Sequence, residues 1–129
     1  MSRGLLLKVD CHSLPVTDLD AAIGFYGALG HELVWRDAVA AGMRLPDSET
    51  ELVFHTDGRP IETDFQVESV PDAIAALVRA GGRLVHGPFE IRIGRCAVLV
   101  DPWDNPIVIL DTSKGLLQVD DHKNVIGQE

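Results

Sequence analysis

The chain has 129 residues, 46% of them hydrophobic, and 20 acidic against 11 basic side chains give a net charge of −9. That apolar content supports a globular core and excludes a disordered chain. The acidic balance, with Lys and Arg scattered rather than striped, argues against phosphate backbones and anionic membranes as partners.

At the N-terminus, MSRGLLLKVD offers three leucines, too few for a signal-peptide core. No stretch approaches the ~20 apolar residues of a membrane span. The only two cysteines, Cys11 and Cys96, have no CxxC spacing. A reduced, cytoplasmic protein is the expectation. Leu5–Val16 reads as the first strand, and Thr17 or Asp18 caps a following helix. In that helix Leu19, Ala22, Ile23, Tyr26 and Leu29 recur at helical spacing and predict one buried face. Gly30 suits the left-handed residue that ends it. Strands are expected at 31–36, 38–45 and 50–56, with PDSE and DGRP as turns.

The order then starts again. Residues 63–68 read as a strand, and Ser69 caps a helix with Pro71 in its first turn. Ile74, Leu77 and Val78 are its expected buried positions, and Gly81–Gly82 ends it. Further strands are expected at 83–86, 90–93, 96–100 and 106–111. The recurrence is also literal. VTDLDAAIGFYGALGHELV from Val16 aligns with VESVPDAIAALVRAGGRLV from Val67 at an offset of 51, matching Ala22 with Ala73, Ile23 with Ile74 and Gly30 with Gly81. ELVFHTD from Glu51 aligns with PIVILDT from Pro106 at an offset of 55. A four-residue insertion between the two alignments accounts for the change. The expected architecture is α+β, two tandem βαβββ units (about 5–57 and 58–113) forming a curved mixed sheet around a cleft. Together they make a single domain over 1–113, with 114–129 as a C-terminal extension.

The first helix motif and the segment VLVDPWDNPIVIL resemble those of the vicinal oxygen chelate superfamily, which includes glyoxalase I, extradiol dioxygenases and bleomycin-resistance proteins. The resemblance covers roughly residues 5–113. It implies the glyoxalase/bleomycin-resistance fold and, in metal-dependent members, one divalent ion held from four strands. Transferred to this chain, the four ligand positions fall on Cys11, Val53, Glu62 and Val108. Valine has no donor atom, so the resemblance implies a protein without a metal cofactor. A slip of two residues in the alignment would place Glu51 or His55 where Val53 stands.

Cys11 and His12 are adjacent on a strand and should face opposite ways, so neither chelation by the pair nor a nucleophile–base couple is expected. Cys11 is read as a thiol lining the cleft and His12 as a structural histidine on the helix side. Glu62, a carboxylate among apolar walls, suits a general base beside a carbonyl; the other reading is a solvated strand end. His55 either orients a ligand or sits at the surface. Trp35 and Trp103 are the only tryptophans. Trp103, in the DPWDNP turn, either stacks on a planar ligand or closes the end of the sheet. Arg92 and Arg95 suit either an anion clamp or a solvated hairpin.

Two readings of function remain open. One is a metal-free protein binding a small hydrophobic or aromatic molecule at Cys11, Val53, His55, Trp103 and Val108. The other is a glyoxalase-, epimerase- or dioxygenase-type enzyme, using Glu62 as base or a relocated divalent metal site from His12, His55 and Glu62. A vestigial cleft filled by its own side chains is the structural alternative. The resemblance also implies a homodimer.

Overall fold

The computed structural model describes residues 4–128; the first three residues of the expected domain and the last of the expected extension lie outside them. The elements run β1 (Lys8–Pro15), α1 (Leu19–Ala28), β2 (Leu33–Arg36), β3 (Ala40–Arg44), β4 (Glu51–His55), β5 (Glu62–Gln66), α2 (Val70–Arg79), β6 (Arg83–Ile91), β7 (Gly94–Val100), β8 (Pro106–Leu110), β9 (Leu117–Val119) and β10 (Val125–Gln128). The protein is α+β, and the βαβββ order occurs twice.

One compact unit comprises Asp10–Thr63 with Gln118–Gly127. Its strands lie in the order β2-β3-β4-β1, with β1 parallel to β4 and the other pairs antiparallel. The Asp18 side chain accepts from Ala21 N at 3.1 Å and caps α1, while Thr17 does not. Leu19, Ala22, Ile23 and Tyr26 pack on Ala41, Met43, Leu52 and Phe54 of the sheet. The Tyr26 ring stacks on Phe54 with centroids 4.6 Å apart. Leu29, expected in this face, is 63% exposed because the helix stops at Ala28 and leaves it as the C-cap. Gly30 follows at φ 97°, as its position required.

Among the described residues, the second unit comprises 4–9, Asp64–Leu117 and Gln128. Its strand order is β5-β8-β7-β6, with β5 parallel to β8. Ser69 caps α2, accepting from Asp72 N at 3.4 Å, with Pro71 in the first turn. Val70, Ala73, Ile74 and Leu77 pack on Phe65, Ala97, Leu99 and Ile109. Val78, expected in this set, is 48% exposed; it lies past the stripe set by 70, 73, 74 and 77. The two strands expected at 83–86 and 90–93 are one strand, β6, and Arg92–Ile93 form the turn into β7.

Hydrogen-bonded pairings refine the repeat. Trp35 and His86, 51 positions apart, each pair with the next strand just after a bulge, opposite Gly42 and Val98, which are 56 apart. Those residues in turn face Val53 and Val108, which are 55 apart. The net four-residue insertion is therefore five residues added to the β6–β7 hairpin and one removed from the β7–β8 turn.

Within the expected extension, β9 and β10 form a hairpin. Asn124 bridges Arg36 at the free side of β2, and Arg36 N donates to Lys123 O at 2.8 Å. The edge of the first sheet is covered there.

Candidate site on the first sheet

Strand alternation sorts the first sheet into two faces. Leu14, Leu52, Phe54, Ala41 and Met43 meet α1. Their neighbours Cys11, Ser13, Glu51, Val53, His55, Ala40, Gly42 and Trp35 therefore lie on the face away from it. Cross-strand register places Trp35 beside Gly42, Gly42 beside Val53, and Val53 beside Ser13. Cys11 stands opposite Glu51 on the same face.

The indole of Trp35 lies over Gly42 and donates from Nε1 to Glu51 Oε1 at 2.8 Å. A Cβ at Gly42 would sit 2.2 Å from Trp35 Nε1 and 2.7 Å from Glu51 Oε1, so only glycine lets this pair form. Cys11, Ser13 and Val53 are buried, with Cys11 Sγ 3.9 Å from Ser13 Oγ. His55 is fully buried, and its Nε2 lies 2.9 Å from the Arg59 carbonyl and 4.0 Å from Asp57 Oδ1. Burial opposes ionisation of Asp57, but the Arg59 amide and guanidinium outweigh it and hold that carboxyl below the ordinary aspartate range.

The predicted residues fall as follows. Cys11, Val53 and His55 share the distal face of the first sheet. His12 lies on the other face, with Nδ1 3.1 Å from the hydroxyl of Thr63, its own repeat-related position. His12 and His55 therefore point opposite ways and are not brought together. Glu62 is paired with Arg59 at 3.5 Å and its side chain is 21% exposed, a different setting from a carboxylate among apolar walls.

In the second unit, Val108 is buried with Cys96 and Leu110, packed by Phe89, Ile91, Ile93 and Val98. Trp103 is 80% exposed, on a turn whose Asp101 side chain accepts from the amides of Trp103 and Asn105. Arg95 is a surface residue 3.2 Å from Glu90. Sequence reasoning named Trp35 and Glu51 but did not join them; the signal was Gly42, an isolated glycine inside the strand AAGMR.

The residues at the family's ligand positions do not fit a divalent ion. Val53 and Val108 have no donor atom, Cys11 is packed beside Ser13, and Glu62 is in contact with a guanidinium. Among the described residues, no group of three or more His, Cys, Asp or Glu side chains is placed to hold a metal. Nor does any described helix have the length and apolarity to cross a membrane.

A model of the glyoxalase-like domain family matches residues 9–110. Methylmalonyl-CoA epimerase from Mycobacterium tuberculosis superposes with a TM-score of 0.72 at 21% identity, covering 88% of this chain and 93% of that one. A hypothetical protein of Bacillus halodurans gives 0.66 at 16% identity, covering 88% and 98%. An extradiol ring-cleaving dioxygenase from B. fuscum gives 0.60 at 23% identity, covering 83% of this chain and 33% of that one. At these identities the likeness is one of fold. Among curated proteins none matches the chain.

Proposed function

The chain belongs to the glyoxalase-like domain family, within the vicinal oxygen chelate superfamily, and from that premise we propose that it binds a small hydrophobic or aromatic molecule without a metal ion. The observation that carries this reading is the pair of buried valines, Val53 and Val108, where the resemblance calls for donors. Replacing ligands by apolar side chains removes the Lewis acid and leaves a surface suited to apolar ligands, with a few polar groups to orient them. Trp35 adds an indole on the same face as Val53. A homodimer in the cytoplasm, with no nucleic-acid or membrane partner, completes the proposal.

One observation favours a second reading, an enzyme acting by proton transfer: the Glu51 carboxylate, held by the Trp35 indole at a strand position in register with Cys11. A positioned carboxylate is what such chemistry requires. Elemental analysis separates the main proposal from any metal-dependent form. Protein incubated with Mn²⁺, Ni²⁺, Zn²⁺ or Fe²⁺ and then dialysed is expected to retain under about a tenth of an equivalent. Near-stoichiometric metal, lost in Glu62→Ala, would overturn the proposal and direct the work to epimerase and ring-cleavage assays.

A further inference from the structure

Helix α1 is apolar on both sides. Leu19, Ala22, Ile23 and Tyr26 pack on the first sheet, while Ala21, Gly24, Phe25, Ala28 and Leu29 lie exposed. From Ala21 through Gly30 no side chain is charged. Phe25 is 62% exposed, and its ring is held edge-on to Tyr26 with centroids 5.0 Å apart. A surface helix ordinarily turns charged residues outward, and α2 does so. At the repeat offset, Ala21, Gly24, Phe25 and Ala28 become Asp72, Ala75, Ala76 and Arg79.

Two glycines sharpen the contrast. Gly24 and Gly27 stand inside α1, where glycine costs stability relative to alanine. A Cβ at either would meet no described atom within 4 Å beyond its chain neighbours and the helix backbone. Nothing within the chain requires them to be bare.

Resting on the homodimer proposed above, we infer that this face is its contact, with α1 packed antiparallel on α1 of a second copy about a two-fold axis. Adjacent large and small positions make the face self-complementary. With the axis between residues 24 and 25, each Phe25 covers Gly24 of the other copy, and the bare glycine permits close approach. Each copy carries a net charge of −9, so association needs a face that brings no unpaired carboxylate with it. The only charge within α1, Asp20, is paired with Arg36 at 2.8 Å. One helix pair covers less than the ~1,200 Å² of a stable interface, which sets a concentration-dependent dimer with Kd on the order of micromolar.

Sedimentation velocity from low to high micromolar concentration tests this. The wild-type chain is expected to pass from monomer to dimer. Gly24→Ala should weaken dimerisation about tenfold while raising the thermal stability of the monomer, opposite changes that a packing role inside the chain would not give. Phe25→Asp should abolish the dimer, and Ala75→Asp, at the counterpart of Gly24 on α2, should leave it unchanged. A dimer that survives both α1 substitutions, or that Ala75→Asp weakens as much as Phe25→Asp, overturns the inference and leaves the homodimer standing on another surface. A wild-type chain that stays monomeric throughout overturns both.

Discussion

The two units are copies of one plan whose distal faces differ in chemistry. Position for position, the first carries Ala40, Gly42, Glu51 and His55 where the second carries Cys96, Val98, Pro106 and Leu110. The valines at 53 and 108 are the shared member. Small residues at 40 and 42 make room in the first sheet for an indole and a carboxylate, whereas the second fills the same space with aliphatic side chains. Duplication fixed the helix-facing cores, where Ala41 and Ala97 are both fully buried. The far faces diverged, one toward polar groups and one toward packing.

The second unit is also fastened differently, and this yields the largest expected effect. Buried Asp111 accepts from Val70 N at the start of α2, from Arg95 N in β7, and from the Ser113 hydroxyl. Gly94 is required beside it, since a Cβ there would meet Asp111 at 2.3 Å. The counterpart in the first unit is Thr56, an exposed residue whose hydroxyl donates to Val39 O. Asp111→Ala strands buried amides and should lower unfolding stability by about 2–4 kcal/mol, against less than about 1 kcal/mol for Thr56→Ala. Urea denaturation gives both values, and equal losses would break the contrast.

Asp111 also gives the contrast a pH dependence. Burial opposes its ionisation, but the Val70 amide, the Ser113 hydroxyl and the Arg95 amide prevail and lower its pKa. The unfolded chain therefore takes up this proton first as pH falls. The stabilising contribution is complete above the ordinary aspartate value of about 4 and fades as pH drops through the lower folded value. Asp111→Asn should flatten that acid limb relative to the wild-type chain.

Gly42→Ala tests the first sheet. The added methyl cannot share space with the indole, so Trp35 must leave Glu51, at about 1–3 kcal/mol and with a red-shifted tryptophan emission. In a Trp35→Ala background the same substitution should cost clearly less, and a double-mutant cycle measures the coupling. Additive losses would mean that Gly42 serves the backbone alone.

Most of this fold is legible in the sequence because of the repeat. Identities at Val16/Val67, Ala22/Ala73 and Gly30/Gly81 mark the strand exit, helix contact and helix end, each of which local chemistry dictates. The distal face is only partly legible. Alternation separates Cys11 from His12, and counting along the motifs reaches Val53 and Val108. The Trp35–Glu51 contact depends on a bulge after Leu33 that changes which residue faces Gly42. No periodicity in four residues of β2 announces such a bulge. Likewise, the continuity of β6 through Gly87 and Phe89 cannot be told from a break, because glycine and proline at 87–88 read locally as a turn.

The smallest expected effect concerns two turns of one design. Asp101 accepts from the amides of Trp103 and Asn105, and Asp120 from those of His122 and Asn124. In each, the residue before the asparagine is left-handed: Asp104 at φ 65° and Lys123 at φ 69°. Glycine alone adopts that conformation without a Cβ penalty. Asp104→Gly should therefore stabilise the protein by about 0.5–1 kcal/mol, since the ion pair it forfeits, with Arg83 at 3.3 Å, is exposed on both sides and worth little. Lys123→Gly should give a similar gain in thermal denaturation if the tail hairpin unfolds with the sheet edge it covers. A gain at 104 but none at 123 would mean that the hairpin opens before the rest of the chain, leaving β2 an uncovered edge.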